Sequence, residues 1–175
     1  MKKQIDAFDY AGHICKSMKK GILLTTKAGD TVNTMTIGWG KIGIEWNRPV
    51  FIAYVRETRH TKQLLEENGE FTVNIPYGDF DSSILGYCGT KSGRDTDKIR
   101  DLGLTLVESD VIQVPGIQEL PLTLECRVIY KQQQDLNCLP QTIIDRFYPV
   151  VGEEGFRDYH IAYYGEIVNA YLLEP

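Results

Sequence analysis

Residues 58–61, with the sequence Thr-Arg-His-Thr, lie where a predicted strand meets a predicted helix. Residues 49–56 before them are rich in β-branched and aromatic side chains, as strands are. Residues 61–69 after them form a short helical stretch that ends at Asn-Gly. Free N–H groups at a helix start, with two Thr hydroxyls and two Arg side chains nearby, are suited to a phosphate. The alternative is a solvated helix start with Thr58 as its cap.

Two further segments combine polar side chains that suit a ligand. Residues 92–98 (Ser-Gly-Arg-Asp-Thr-Asp-Lys) form a polar loop before a predicted helix and offer an anion a hydroxyl and two cations. A solvated loop with Asp95 as the helix N-cap is the alternative. Residues 33–39 (Asn-Thr-Met-Thr-Ile-Gly-Trp) are small and polar for a strand, so they suit a flat heteroaromatic ligand that Trp39 covers. A partly exposed strand with a core tryptophan explains the same residues.

His160 opens the last predicted strand, and it is our candidate catalytic residue. Imidazole is the side chain that moves a proton most readily near neutral pH, although a lone histidine at a strand start is more often structural. The three histidines and four cysteines are widely spaced and include no CxxC pair. The sequence therefore gives no support for a metal site, and none is expected.

Residues 38–43 match the letters of the dinucleotide-binding pattern GxGxxG. That pattern requires a strand before it and a helix after it, because the helix N-terminus binds the pyrophosphate. Here residues 44–49 predict a strand and a turn instead. We therefore interpret these glycines as a bend or a close backbone approach within a sheet.

The elements that must position these residues are mostly short strands separated by turn signals. Alternating apolar residues from 122 to 130 indicate one long half-buried strand. Many strands with few helices favour an antiparallel barrel or sandwich, in one domain over residues 1–175. The predicted strands are 21–26, 31–39, 41–46, 50–56, 71–75, 120–133 and 160–173, and the predicted helices are 61–69, 79–87, 96–102 and 139–147.

Composition excludes several classes of partner. The chain has 175 residues and a net charge of −5, which argues against a broad surface for nucleic acid or an anionic membrane. No apolar run approaches the ~20 residues that span a bilayer, and the first residues lead into no apolar signal core. We expect a cytoplasmic protein that binds anions only in a local pocket.

Taken in order, five segments resemble the flavin reductase-like family of FMN-binding split barrels, in particular its flavoredoxin-type branch. Each segment alone is weakly specific, but their order and spacing together are characteristic. The resemblance extends from about residue 21 to the C-terminus. The matching segments are 33–40, 54–61, 69–76, 89–98 and 160–168.

The resemblance implies a Greek-key antiparallel split β-barrel with a few short helices, a homodimer, and FMN near the subunit interface. It implies that NADH or NADPH approaches the flavin beside His160. The family often has Ser-Arg-Tyr-Thr where residues 58–61 are Thr-Arg-His-Thr, so the resemblance implies a contact for the backbone N–H of His60 and leaves its side-chain contact open. The implied cofactor-binding residues are Asn33, Thr34, Met35, Thr36 and Trp39 at the ring, Arg56, Thr58, Arg59, His60 and Thr61 at the phosphate and ribityl chain, and Ser92, Gly93, Arg94 and Lys98 closing the site.

The functional prediction is an FMN-binding oxidoreductase that passes reducing equivalents from NAD(P)H to a small-molecule or protein acceptor. One alternative is an electron-transfer protein that binds FMN but does not oxidise a nicotinamide. The other is a flavin-free barrel that acts as a binding module. A flavin supplies the redox chemistry in the first two cases, and the protein orients and tunes it.

Overall fold

The computed structural model describes residues 1–152 and 154–174. Its helices are α1 (Ala11–Met18), α2 (His60–Asn68), α3 (Ser83–Thr90), α4 (Lys98–Leu102) and α5 (Gln141–Phe147). Its strands are β1 (Lys2–Gln4), β2 (Ile22–Ala28), β3 (Thr31–Ile37), β4 (Gly40–Glu45), β5 (Arg48–Arg56), β6 (Glu70–Ile75), β7 (Leu106–Val107), β8 (Gly116–Ile117), β9 (Leu122–Gln133), β10 (Val150–Val151), β11 (Phe156–Arg157) and β12 (His160–Leu173).

Eight of the strands form one antiparallel sheet in the order β3-β2-β6-β9-β12-β5-β4, with β1 added beside β12. β12 pairs along its first half, residues 160–166, with β5 on one edge and along most of its length with β9 on the other. β3 lies at one end of this order, so its outer edge has no strand partner in the described sheet. The mainly β antiparallel split-barrel prediction is confirmed.

Two clusters of apolar side chains lie on opposite faces of β2, because neighbouring side chains of a strand alternate. Leu24 belongs to the larger cluster, which includes Phe51, Phe71 and Leu124 from three other strands. Leu23 points the other way and packs with α3, α4 and the segment around β8. The second cluster therefore fixes α3 and α4 against the sheet, and both helices border the cleft described below.

The predicted elements agree with the structure best where the apolar pattern is long. β12 has the predicted bounds, and α2 and α4 end at Gly69 and Gly103, both with positive φ. The glycine-rich stretch continues into β4 rather than a helix, which excludes the dinucleotide-binding interpretation.

Several predicted bounds were wrong. β3 ends at Ile37 and leaves Trp39 outside the sheet. α3 begins at Ser83 rather than 79, and α5 follows Pro140, which is its N-cap. α1 was missed, because its apolar side chains Ile14 and Met18 lie in a mostly polar stretch.

Gly165 lies in β12 at an irregularity of its pairing with β9. A Cβ atom there would lie 2.8 Å from Cys126 Cβ and 2.6 Å from Phe71 Cε1, closer than side-chain carbons approach. Both neighbours are fully buried, so neither has free space to move into. The barrel wall therefore requires a residue without a side chain at this point.

We expect Gly165→Ala to lower the free energy of unfolding by about 1–3 kcal/mol, because the added methyl overpacks the core. Urea denaturation followed by tryptophan fluorescence measures the change. Gly43→Ala is the matched control, since it lies in β4 and its Cβ would meet no atom within 4 Å. Equal effects of the two substitutions would contradict a packing role for Gly165.

Candidate functional site

A cleft runs along β3 from the start of β12 to the N-terminus of α2. It has two parts, which share Met35, Thr36 and Arg59. Trp39, Tyr54 and His160 line one part, and the loop before α4 lines the other. Every predicted site residue except Thr34 lines this cleft. The predicted residues are therefore close together in space, although their ligand-binding roles remain predictions.

Aromatic side chains form one end of the cleft. The Trp39 ring is 42% exposed and lies 4.9 Å from the His160 ring, measured between centroids. The Phe147 ring meets Trp39 edge-on at 5.1 Å, and Tyr54 lies edge-on to His160 at 6.4 Å. An exposed indole that is fixed by two neighbouring rings is a suitable surface for a flat aromatic ligand.

Positive charge is concentrated at the other end. Lys98 is 4% exposed, and its ammonium donates hydrogen bonds to the carbonyl oxygens of Thr34 at 2.9 Å and Cys88 at 3.1 Å. No carboxylate of the described chain bonds to this ammonium. Burial lowers the pKa of Lys98, and the charge of Arg59 lowers it further. A buried cation with only carbonyl partners is stabilised by an anionic ligand.

The loop before α4 approaches β3 very closely. A Cβ atom on Gly93 would lie 2.8 Å from Asn33 Cγ and 3.1 Å from His60 Cδ2. The Asn33 amide in turn donates a 2.9 Å hydrogen bond to the buried hydroxyl of Thr61. Arg94 donates to the carbonyl of Thr58 at 2.9 Å and so joins the loop to the start of α2.

Comparison with known proteins identifies the family. A flavin reductase like domain model matches residues 16–175. The chain belongs to the flavin reductase-like family. This resemblance was predicted from the sequence and is confirmed.

Three relatives illustrate the similarity within the flavin reductase-like family. An uncharacterised protein of Archaeoglobus fulgidus is 35% identical over 97 residues, which are 55% of this chain and 54% of the relative. A flavoredoxin of Methanosarcina acetivorans is 26% identical with a TM-score of 0.63, over 88% of this chain and 68% of that structure. The flavoredoxin of Desulfovibrio vulgaris has 24% identity and a TM-score of 0.66, over 88% and 69%. The chain spans about half the length of the curated relatives it matches.

Thr58 does not cap α2, and both of its donors bond to a carboxylate in this structure. The N-cap of α2 is Arg59, which makes no capping hydrogen bond with its side chain. The Thr58 hydroxyl donates to Asp158 Oδ2 at 2.8 Å, and its N–H donates to Oδ1 at 3.1 Å. Both donors expected for a phosphate are therefore bonded to a carboxylate within this flavin reductase-like fold. Asp97 rather than Asp95 caps α4, by accepting from the N–H of Arg100.

Arg56 and Thr34 make hydrogen bonds that the sequence did not predict. Arg56 donates hydrogen bonds to the carbonyls of Asp158 at 2.6 Å and Phe147 at 3.1 Å, so it joins β5 to the segment after β9. It lines the aromatic part of the cleft together with Arg59. The Thr34 side chain is fully buried and bonds to Thr25, and its backbone carbonyl accepts from the cleft residue Lys98.

His160 lies in the cleft but is a weaker base than expected. It is 7% exposed, and its Nδ1 lies 2.9 Å from the Tyr148 hydroxyl. Burial, together with the charges of Arg56 and Arg59, lowers the pKa of the imidazole to about 4. The ring is therefore neutral near pH 7, in contrast to the proton carrier expected from its type alone.

Sequence reasoning missed Tyr148, Gln134 and Asp158, which surround His160 and Thr58. Tyr148 and Gln134 bond to His160 across 12 and 26 residues of chain. Asp158 is 100 residues from Thr58. No local pattern links such positions, although Asp158 stands two residues before a histidine that the sequence did single out.

The low pKa of His160 predicts acid sensitivity. The unfolded chain binds the proton near pH 6.5 and the folded protein only near pH 4, so the unfolded state binds more protons between these values. The free energy of unfolding therefore falls as the pH falls from 6.5 towards 4. Between pH 7.5 and 4.5 the free energy of unfolding should therefore fall by about 2 kcal/mol less in the His160→Gln variant than in the wild-type protein.

Urea denaturation at the two pH values measures this difference, with His13→Gln as the control for an imidazole outside the cleft. His13 bonds to the carbonyl of Pro76 and lines neither part of the cleft. If His160→Gln leaves the pH dependence of the wild-type protein unchanged, burial of a neutral His160 is refuted.

Proposed function

We propose that this protein binds FMN and is an oxidoreductase that passes reducing equivalents from NADH or NADPH to an acceptor. The observation that supports this best is a single cleft with an aromatic end and a cationic end. FMN has the complementary shape and charge, with a flat ring system at one end and a phosphate at the other. Membership of the flavin reductase-like family supports the same cofactor.

The cationic end fits a phosphate on its own chemistry. Lys98 is a buried ammonium that bonds only to carbonyl oxygens, and Arg59 makes no side-chain hydrogen bond or ion pair with the rest of the described chain. Two unneutralised cations in one cleft of a chain with net charge −5 favour a local anionic ligand. Because Thr58 is bonded to Asp158, the cations rather than the Thr58 hydroxyl would provide the main phosphate contacts.

The remaining residues divide between the two ends of the ligand. Arg59, Arg94, Ser92 and Lys98 would bind the phosphate and ribityl chain. Trp39, Met35 and Thr36 would bind the ring system, and His160 would face the nicotinamide. The flavin, when bound, supplies hydride and electron transfer, whereas the protein residues fix its orientation and exclude water.

Similarity to flavoredoxins favours a second candidate function. The flavoredoxin of Methanosarcina acetivorans shares 26% identity over most of this chain. An electron-transfer protein of this kind would bind FMN without oxidising a nicotinamide itself. A flavin-free binding module is the remaining alternative, and the first experiment below separates it from both.

Arg59→Ala should weaken FMN binding about tenfold, because it removes one charge-assisted phosphate contact. Quenching of FMN fluorescence on titration with the flavin-free protein measures the dissociation constant. Arg100→Ala is the matched control, since it also removes one positive charge but lines neither part of the cleft. Lys98→Met should weaken binding further, since Lys98 is the buried cation.

Two outcomes would count against this assignment. Wild-type protein that does not quench FMN fluorescence would support the flavin-free module. Equal FMN dissociation constants for Arg59→Ala, Lys98→Met and wild type would refute binding of the phosphate at the cationic end.

Mixing the FMN-loaded protein with NADH or NADPH in a stopped-flow spectrometer separates the first two functions. We expect the flavin absorbance near 450 nm to bleach within seconds for at least one nicotinamide, because a flavin in the aromatic part of the cleft would lie beside the exposed Trp39 and could meet a second flat ring. Bleaching by dithionite but by neither nicotinamide would instead support the electron-transfer protein.

A homodimer in the cytoplasm, with a small-molecule or protein acceptor, belongs to the same proposal. The four cysteines are free thiols, as is usual for a reducing compartment. No described helix is both long and apolar enough to cross a membrane. Sedimentation velocity at micromolar protein measures the association state directly, and a monomer with and without FMN would refute the dimer.

A further inference from the structure

Gln134 and His160 face each other where β9 ends and β12 begins. The Gln134 N–H donates to the carbonyl of His160 at 3.1 Å, and the His160 N–H donates to Gln134 Oε1 at 3.2 Å. A backbone N–H can only donate, so the side-chain atom that faces it must be the amide oxygen. The orientation of the Gln134 amide is therefore determined by the backbone of His160.

The Tyr148 hydroxyl lies between this amide oxygen and the imidazole. Its distance to Gln134 Oε1 is 2.7 Å, and its distance to His160 Nδ1 is 2.9 Å. The single hydroxyl proton goes to Gln134 Oε1, because that oxygen cannot donate. The Tyr148 oxygen must then accept a hydrogen bond, and Nδ1–H of His160 is the donor.

Three contacts fix Tyr148 in this position. Its N–H donates to the carbonyl of Ile144 in α5 at 2.8 Å, and its own carbonyl accepts from Arg157. The Arg56 guanidinium lies over the Tyr148 ring, 5.4 Å from the centroid. The ring itself is 2% exposed. The hydroxyl is therefore preorganised and does not depend on solvent.

We propose that Tyr148 is a positioning residue that fixes His160 as the Nδ1–H tautomer and leaves Nε2 as a hydrogen-bond acceptor for a ligand in the cleft. Nε2 has no hydrogen-bond partner among the described residues, and the ring lines the aromatic part of the cleft. The complementary ligand group is an N–H donor attached to a flat ring, such as a primary carboxamide. A nicotinamide has this group, and that assignment of the ligand rests on the proposed function.

The surrounding charges keep this acceptor available. Arg56 and Arg59 are the cations near His160, Asp158 is the nearby carboxylate, and Tyr54 and Tyr148 are the adjacent phenols. Protonation of Nε2 would place a third positive charge in a buried position beside two guanidinium groups. His160 is therefore arranged to recognise a donor and not to deliver a proton.

Nitrogen-15 NMR of flavin-free protein with labelled histidine tests the tautomer directly. The two ring nitrogens of a neutral imidazole have well-separated shifts that depend on which one is protonated, and His160→Gln assigns the signals. We expect the wild-type protein to show Nδ1–H. Tyr148→Phe and Gln134→Leu should both shift His160 towards Nε2–H, the first by removing the acceptor and the second by freeing the Tyr148 proton to bond Nδ1.

Two further variants act as controls. Gln134→Glu retains the acceptor oxygen and should preserve the Nδ1–H signals. Tyr87→Phe removes a hydroxyl that bonds to Asp101 outside the cleft and should leave His160 unchanged. A wild-type His160 that is already Nε2–H overturns the proposal without any variant. Persistence of Nδ1–H in both Tyr148→Phe and Gln134→Leu overturns it as well.

The ligand is tested separately with FMN-loaded protein. Tyr148→Phe should raise the NADH concentration for half-maximal bleaching about tenfold, because Nε2–H cannot accept from the carboxamide, while the FMN dissociation constant stays within twofold. If Tyr148→Phe changes the tautomer but not the NADH concentration for half-maximal bleaching, His160 does not bind the carboxamide. Absence of bleaching in the wild type would refute the proposed reductase function and the nicotinamide assignment, whereas the NMR result would still decide the tautomer.

Discussion

The register between β12 and β5 determines the geometry on which the cleft depends. It places His160 opposite Arg56, at the point where both strands reach the cleft. A shift of one residue would turn every side chain of β12 to the other face of the sheet. β12 also pairs with β9, and Gly165 allows Phe71 and Cys126 to pack against its backbone. Pairing on two edges and close packing together leave β12 no alternative register.

The same register brings together groups that repel one another in isolation. Arg56 donates hydrogen bonds to two backbone carbonyls, which compensate for the loss of water around its guanidinium. Its positive charge favours the neutral form of the neighbouring His160 imidazole. At the other end, Lys98 bonds to carbonyl dipoles but to no carboxylate of the described chain. Positive potential is therefore concentrated along the cleft of an otherwise acidic protein. A cleft of this kind selects ligands by charge before any specific contact is made.

The sequence was sufficient to predict elements with a long, regular apolar pattern, and its family resemblance named most of the residues that line the cleft. β12 and the region around α2 illustrate this, because strand and helix periodicity are local properties. The hydrogen bonds of those residues were not predictable in the same way. Thr58 bonds to Asp158, and His160 bonds to Tyr148 and Gln134. These partners are far apart in the sequence and come together only when the sheet has formed. The protonation state of a side chain such as His160 depends on its burial, and the residue type alone does not determine how deeply it is buried.

The contact between Lys98 and the carbonyl of Thr34 has a consequence for association with other molecules. β3 ends the sheet, and an unprotected strand edge is a template on which a strand of another chain can add. A charged side chain that already occupies a carbonyl of this edge hinders such addition. The Lys98 side chain and the helices α3 and α4 therefore cover the end of the sheet at β3, so the cover that forms one wall of the cleft also hinders the addition of a strand from another chain.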